Sequence, residues 1–400
     1  MGYVAERIKS YHERIDRALG IPEGQDFDDF LAQQIDRFCE GTKEEPVDAS
    51  KFLPFCDCSR ILTAFRPVYE RFDVVKRRLE PRTRLVAYMI VKGYTSIMAV
   101  YSDMRSHPYI WQNLGFDRMP TYELLREFVN ERLPPVLDGL IDAIVLELAR
   151  ALKGFGITLF ERVSEDAVDV RARDTDEEAE YSGYYNECGY KEDLVVDVDR
   201  GIPYRPIHLG INDYEGACFP EQAQRLASLG FHPKDWFFDG GYTSYEDIAI
   251  GEAGYHTNLT YRIEKDWIFN EKGTPERINE RYQPYWKDPE FLTNAPYSVQ
   301  TTLLAGKRDT EHVGAYFRNQ AMIRYNEDPE SYLKRCHLRN RSENTNGHLK
   351  NQLSLEKNVP KGRKRVGRHA TVCILAKLLV ALTRVQNGII DNLVSTAYLT

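Results

Sequence analysis

The sequence has little cysteine, no large excess of one charge sign and no uninterrupted apolar run long enough to span a bilayer. Its seven cysteines are an odd number without regular spacing. Cys56 and Cys58 form a C-x-C pair with no second pair after it, which argues against a zinc knuckle. So few scattered thiols fit a reducing compartment. The first residues, MGYVAERIKSYHERIDRAL, are charged and hold no apolar signal core. Glu6 and Arg7 follow Gly2 where a myristoylation motif wants Ser or Thr. The most apolar stretch, Val372 to Val385, is broken by Lys377 and Arg384, so no membrane span is expected. Internal repeats and low-complexity tracts are absent. The net charge of -8 argues against an indiscriminate nucleic-acid binder. Together these absences lead to the expectation of a cytoplasmic protein.

What is present is a long, aromatic-rich chain. Its 400 residues exceed one ordinary domain and suggest two or three. A hydrophobic content of 42%, with 25 Tyr and 18 Phe, is enough for real cores. Charge is unevenly spread. Residues 331–370 hold eleven Lys/Arg against two acids, and residues 161–199 hold four Lys/Arg against fourteen acids. A basic block and an acidic block fit a phosphate-binding surface beside a metal site. They equally fit two solvated faces that attract each other.

Along the chain, residues 1–80 read as helices broken by polar loops, with Thr42 to Lys51 the clearest loop. From Thr83 to Ala151 the helical period sharpens. One helix carries Leu85, Tyr88 and Met89 and stops at Gly93. The next, through Met98, Val100 and Met104, takes Thr95 or Ser96 as its cap and ends at His107-Pro108. Leu124, Leu125, Phe128 and Val129 form a further stripe, and Val136 to Leu152 a long helix. Such short helices suit a helix-turn-helix DNA reader or a plain bundle. After Gly154 the pattern turns to strands: Val163 to Ala172, a short one at Leu194 to Val198, and Ile202 to Leu209. A helix over Tyr214 to Leu229 and a strand at Trp236 to Phe238 follow. Residues 262–325 read as an insertion, and residues 369–398 as a closing amphipathic helix. The domains expected are a helical 1–152 and a mixed 153–400.

Three acids stand out. Asp166 lies mid-strand, where Asp is costly unless a cation compensates, and shares a face with Val168. Asp169 points the other way and is the reserve candidate. Asp239 directly follows an apolar strand, at the end where α/β sheets place ligands, though an Asx turn would also explain it. Glu343 lies in RNRSENTNGHLK with Arg339 four residues before and Lys350 seven after. On a helix these offsets share one face. A carboxylate between two cations suits a metal ion meeting a phosphodiester, or is simply an exposed helix with ordinary charge pairs. Three converging carboxylates can hold two Mg²⁺ ions roughly 4 Å apart.

On these residues the chain resembles DDE transposases of the prokaryotic insertion-sequence type. That group carries the signature Y-x2-R-x3-E-x6-K, matched here by Arg339, Glu343 and Lys350, with Cys336 at the Tyr position. The group's D-x-G-Y-x-S resembles Asp239-Gly240-Gly241-Tyr242-Thr243-Ser244. Asp166-Ala167-Val168-Asp169-Val170 is a looser match to its first-acid strand. The stretch Gly189 to Pro203 resembles the hairpin that follows, Asn212-Asp213 a further N-x-D element, and Gly93 to Phe128 the group's N-terminal part. The resemblance covers roughly residues 80–390.

The resemblance implies an α/β fold, an RNase H-like mixed sheet with flanking helices, preceded by an all-helical DNA-end-binding domain. It implies that Asp166, Asp239 and Glu343 hold two Mg²⁺ ions, with Mn²⁺ able to substitute. Arg339 and Lys350 would bind phosphates at the scissile bond. Lys361, Arg363, Lys364 and Arg365 would add backbone affinity that falls with salt. The activity implied is cut-and-paste DNA transposition on terminal inverted repeats and target DNA, by a homodimer on DNA in a prokaryotic nucleoid. The rival readings are a retired transposase that only binds DNA, another RNase H-like nuclease, and a metal-free scaffold whose charge blocks pair internally.

Overall fold

The computed structural model describes residues 47–94, 96–238, 242, 244–261, 314, 317–318, 321, 324–325, 327–357, 359–396 and 399. Expectations for residues 1–46 and 262–313 lie outside that range. The chain divides into two units. One comprises Met1–Ile157, His348–Asn358 and Arg368–Thr400, the other Thr158–Gly347 and Val359–Gly367.

The first unit is helical. Its helices are α1 (Phe72–Val91), α2 (Ile97–Ser106), α3 (Pro108–Asn113), α4 (Tyr122–Glu127) and α5 (Leu137–Lys153). Local chemistry sets several of these boundaries. The Ser96 hydroxyl accepts from the Ala99 N–H at 3.1 Å and caps α2, and Thr121 caps α4 through the Leu124 N–H at 3.3 Å. Each such cap contributes about 1 kcal/mol. Pro108 opens α3, where a missing N–H costs nothing. Asp48 caps a short helix at Ala49–Phe52, so the expected loop to Lys51 ends earlier. In α5, residues Leu137, Leu140, Ile141, Ile144, Val145, Leu148 and Leu152 are buried. Their spacing is that of one helix face turned to a core. Truncating any of them to Ala should cost about 2–5 kcal/mol.

The C-terminal helix corrects three expectations. It spans Arg363–Gln386, not 369–398, and from Arg368 onward it belongs with the helical unit rather than with the sheet. It is not amphipathic either, because every residue from Cys373 to Leu382 is at most 1% exposed. A helix covered on all sides has no polar face to keep. By length and composition alone it could cross a membrane, and 83% of its most apolar window is buried.

The second unit is a mixed α/β layer structure. Its strands are β1 (Arg162–Arg171), β2 (Glu180–Ser182), β3 (Glu187–Asp197), β4 (Ile207–Gly210), β5 (Asp235–Phe237) and β6 (Asn258–Thr260). They form one sheet in the order β2-β3-β1-β5-β6, with β4 also on β3. Strand β1 is central. It pairs antiparallel with β3, Asp166 opposite Leu194, and parallel with β5, Val163 opposite Trp236. Strands β5 and β6 are parallel, and β3 and β4 antiparallel. Helix α6 (Phe219–Ser228) connects β4 to β5, and α7 (Tyr245–Ala249) lies between β5 and β6.

Strand β3 is much longer than the apolar run at Leu194 to Val198 suggests. Its first half, ECGYKED, reads as polar yet is buried from Gly189 on. Partners explain this. The Lys191 ammonium donates to Glu215 and to the Asp213 carbonyl, each at 2.7 Å, and Glu192 pairs with His208. Satisfied charges tolerate burial that bare ones would not. The expected strand at Ile202 to Leu209 is a single bridge at Pro203 followed by the shorter β4. The expected helix from Tyr214 begins as a tight turn at Glu215–Cys218 before Pro220 opens α6.

Candidate active site

Alternation along β1 sends Ser164, Asp166, Val168, Val170 and Ala172 to one face and Glu165 to the other. On the first face Ser164, Val168, Val170 and Ala172 are buried, and Asp166 is half-buried. Helices α8 (Pro329–Cys336) and α9 (Asn340–Asn351) follow one another through a single tight turn, His337–Arg339. The Asn346 Nδ2 of α9 donates to Asp166 Oδ2 at 3.2 Å. Asp166 therefore touches the helix that carries Glu343, three residues before Asn346.

Glu343 sits in the first turn of α9, where the helix dipole favours a carboxylate. Arg339 pairs with it at 2.8 Å, and the Glu343 side chain stays 48% exposed. The i,i+4 relation expected from sequence is present, although Arg339 belongs to the turn before the helix. Lys350 lies beyond the unit boundary at Gly347 and pairs with Glu356 at 3.0 Å. Asp169 is half-buried on β1, opposite Lys191 in the register. Asp239, Gly240, Gly241 and Thr243 lie outside the described residues. Cys336, at the Tyr position, is half-buried, and its thiol donates to the Tyr261 carbonyl at 3.6 Å. One turn earlier on α8, the buried Tyr332 hydroxyl donates to the same carbonyl at 3.0 Å.

The opposite face of β1 holds an acidic network that the sequence pattern did not reveal. Glu165 and Asp193 are fully buried. The Tyr242 hydroxyl donates to Asp193 Oδ2 at 2.5 Å, and the Gln222 amide donates to Asp193 Oδ1 at 3.3 Å. Burial raises the Asp193 pKa to about 6, partly offset by the Tyr242 hydrogen bond. Both Glu165 oxygens are sealed away without a good partner. Burial, reinforced by the nearby Asp193 carboxylate, pushes the Glu165 pKa well above the ordinary range. Tyr242 closes the D-G-G-Y segment, so this network anchors the chain three residues after Asp239.

The basic tract opens the C-terminal helix, here α10 (Arg363–Gln386). Lys361, Arg363, Lys364 and Arg365 are all exposed. No acid offsets them in the first turn, where the helix dipole disfavours cations. Arg363 donates to the His208 carbonyl at 2.8 Å and pairs with Asp213 at 3.1 Å. The Gly362 and Arg363 N–H groups donate to Asp176 and Glu178, at 2.8 and 3.2 Å. The acidic block thus supplies backbone caps here, and the two charge blocks meet, as their mutual attraction allows. Gly367 cannot be replaced cheaply, because a Cβ there would collide with the His208 ring. Asn212 serves the same region structurally, donating to Glu180 at 3.2 Å and to the Tyr181 carbonyl at 3.1 Å.

Asp166 on β1, and Glu343 and Asn346 on α9, offer oxygen donors: two carboxylates and an amide carbonyl, of which the Asn346 amide nitrogen is what touches Asp166. That is the hard donor set a Mg²⁺ or Mn²⁺ ion takes. Among the described residues no three His, Cys, Asp or Glu side chains form a metal-holding group. The third expected acid, Asp239, is not among them. No family model, curated protein or solved structure matches the chain.

Proposed function

We infer that the chain is a DDE-type DNA transposase whose catalytic unit is RNase H-like. The observation that carries this reading is the contact of Asp166, on the central strand, with the helix that bears Glu343. The sheet supports it further. Three antiparallel strands, β4-β3-β1, are extended by two parallel ones, β5 and β6, and helix α6 lies between β4 and β5. An RNase H-like reading expects this order, with β5 paired to β1, Ser164 opposite Phe237.

In this reading Asp166, Asp239 and Glu343 would hold two Mg²⁺ ions, which when bound would supply activation of the attacking oxygen and stabilisation of the leaving one. Asp166 is held in place by the Asn346 amide. Arg339, paired with Glu343 here, would be free to bind a phosphate oxygen if Glu343 held a cation instead. Lys350 and the Lys361–Arg365 tract bind the DNA backbone. Water cleaves the transposon end and frees a 3′-hydroxyl, which then attacks target DNA. The partners in this reading are double-stranded DNA and a second copy of the chain assembled on it.

A second reading, a retired transposase that only binds DNA, draws on the Arg339–Glu343 pair, which occupies the helix acid internally. Asp239→Asn separates the two. A transposase loses strand transfer in this variant and keeps end binding nearly unchanged. Appreciable strand transfer by Asp239→Asn would remove Asp239 from the site, and wild type that binds but never cleaves would favour the retired form.

A further inference from the structure

Asn346 joins the central strand to the Glu343 helix, and only half of its amide is used. The residue is 7% exposed. Its Nδ2 donates to Asp166, while its Oδ1 is shut off from solvent and accepts no hydrogen bond. A buried carbonyl without a donor loses its hydration and gains nothing in exchange. Such an atom calls for a partner that arrives with a ligand. The neighbours say which kind. The same side chain touches a half-buried carboxylate, and a second carboxylate stands one turn earlier on α9. A further carbonyl oxygen in that setting repels anions and suits a hard divalent cation. As an amide, it adds an oxygen without adding another negative charge beside Asp166.

We propose that Asn346 is a fourth protein contact of the metal site, with Nδ2 fixing Asp166 and Oδ1 serving as an oxygen ligand for the divalent cation. This rests on the metal-dependent reading above and goes beyond it, since the resemblance supplies only the three acids. Asn346 would then be read as a ligand that carries no charge, placed one turn from the signature Glu.

The test is Mn²⁺ titration of the full-length, DNA-free protein, with free Mn²⁺ followed by electron paramagnetic resonance. Wild type is compared with Asp166→Asn, Asn346→Leu and Asn346→Asp, and the metal-free Tm of each is recorded. Asn346→Leu removes the unpaired buried oxygen together with the hydrogen bond to Asp166, so it is expected to melt close to wild type, yet to bind Mn²⁺ about tenfold more weakly. Asn346→Asp keeps the oxygen and should bind within about threefold of wild type, or more tightly. Asp166→Asn should lose binding. Wild-type affinity in Asn346→Leu, with binding lost in Asp166→Asn, overturns the role of Asn346 and leaves the metal reading standing. Should Asn346→Leu fail to fold, a folded Asn346→Asp that no longer binds Mn²⁺ overturns the ligand role. Indistinguishable titrations of wild type and Asp166→Asn overturn both.

Discussion

Glu165 and Asp166 are consecutive, chemically alike and placed on opposite faces of one strand, and the fold treats them in opposite ways. Glu165 is sealed beside a second carboxylate, and burial pushes its pKa well above the ordinary range. Asp166 is half-buried and hydrogen-bonded to an amide of the helix that also carries Glu343. One acid is spent on the interior, beside the Asp193 network and without a hydrogen-bond partner of its own. The other is left where a cation can reach it. The side chain alone does not separate these roles. What does is the period of two along the strand and the identity of the element covering each face.

The sharpest way to break the comparison is to neutralise each acid in turn. Asp166→Asn should lower single-turnover DNA cleavage by at least about a thousandfold, as removal of one member of a catalytic unit does. Glu165→Gln should leave it within about threefold. Equal losses would mean the two faces are not functionally distinct.

A buried cation in the helical unit extends the contrast. Lys377 is fully buried, and its ammonium has no partner. Burial lowers its pKa from 10.5 to about 7. Between those values the unfolded chain binds more protons, so stability rises with pH across the window from about 7 to 10.5 and is fully reduced below it. Lys377→Met should therefore stabilise the protein at pH 7 by on the order of 4 kcal/mol, at about 1.4 kcal/mol for each pH unit. Urea melts at pH 7 and pH 9 would show a gap that narrows with pH. A constant gap would mean that Lys377 keeps its charge when buried.

Glu165 should behave with the opposite slope. Its folded pKa is raised, so its contribution is intact below the ordinary value of 4.5 and is lost as pH rises above it. Glu165→Gln should gain about 1–3 kcal/mol over wild type at pH 7.5 and nothing near pH 4. The same melts report this, and a gain at pH 4 would contradict it. The smallest effect is expected at the basic tract. Lys361, Arg363 and Lys364 changed together to Ala should reduce the slope of log binding against log salt by about 2, at about 0.9 for each phosphate contact. The expected change is nearer two contacts than three because Arg363 already serves Asp213 and His208. An unchanged slope would mean that the tract does not touch DNA.

Much of the second unit was legible because strand alternation and turn signals are local. The Arg339–Glu343 pair follows from a spacing of four, and the face of Asp166 from its parity with Val168. Strand β3 was read too short because its polar half is stabilised by partners far along the chain, at residues 208, 213 and 215. No local pattern carries that information. Asn346 was missed for a related reason. An uncharged amide on a polar helix looks like surface until its contact with Asp166, 180 residues away, is seen. The C-terminal helix is covered on all sides because even its two cations, Lys377 and Arg384, are buried, which no local pattern signals.

The most direct measurement is a cleavage and strand-transfer assay with Mg²⁺ or Mn²⁺, using the genomic flanks of the gene as DNA and Glu343→Gln as the control. The account predicts cleavage at a repeat end and joining of the freed 3′-hydroxyl to target DNA, both absent in Glu343→Gln. Cleavage that persists in Glu343→Gln, or wild type that binds the flanks without ever cutting them, would contradict it.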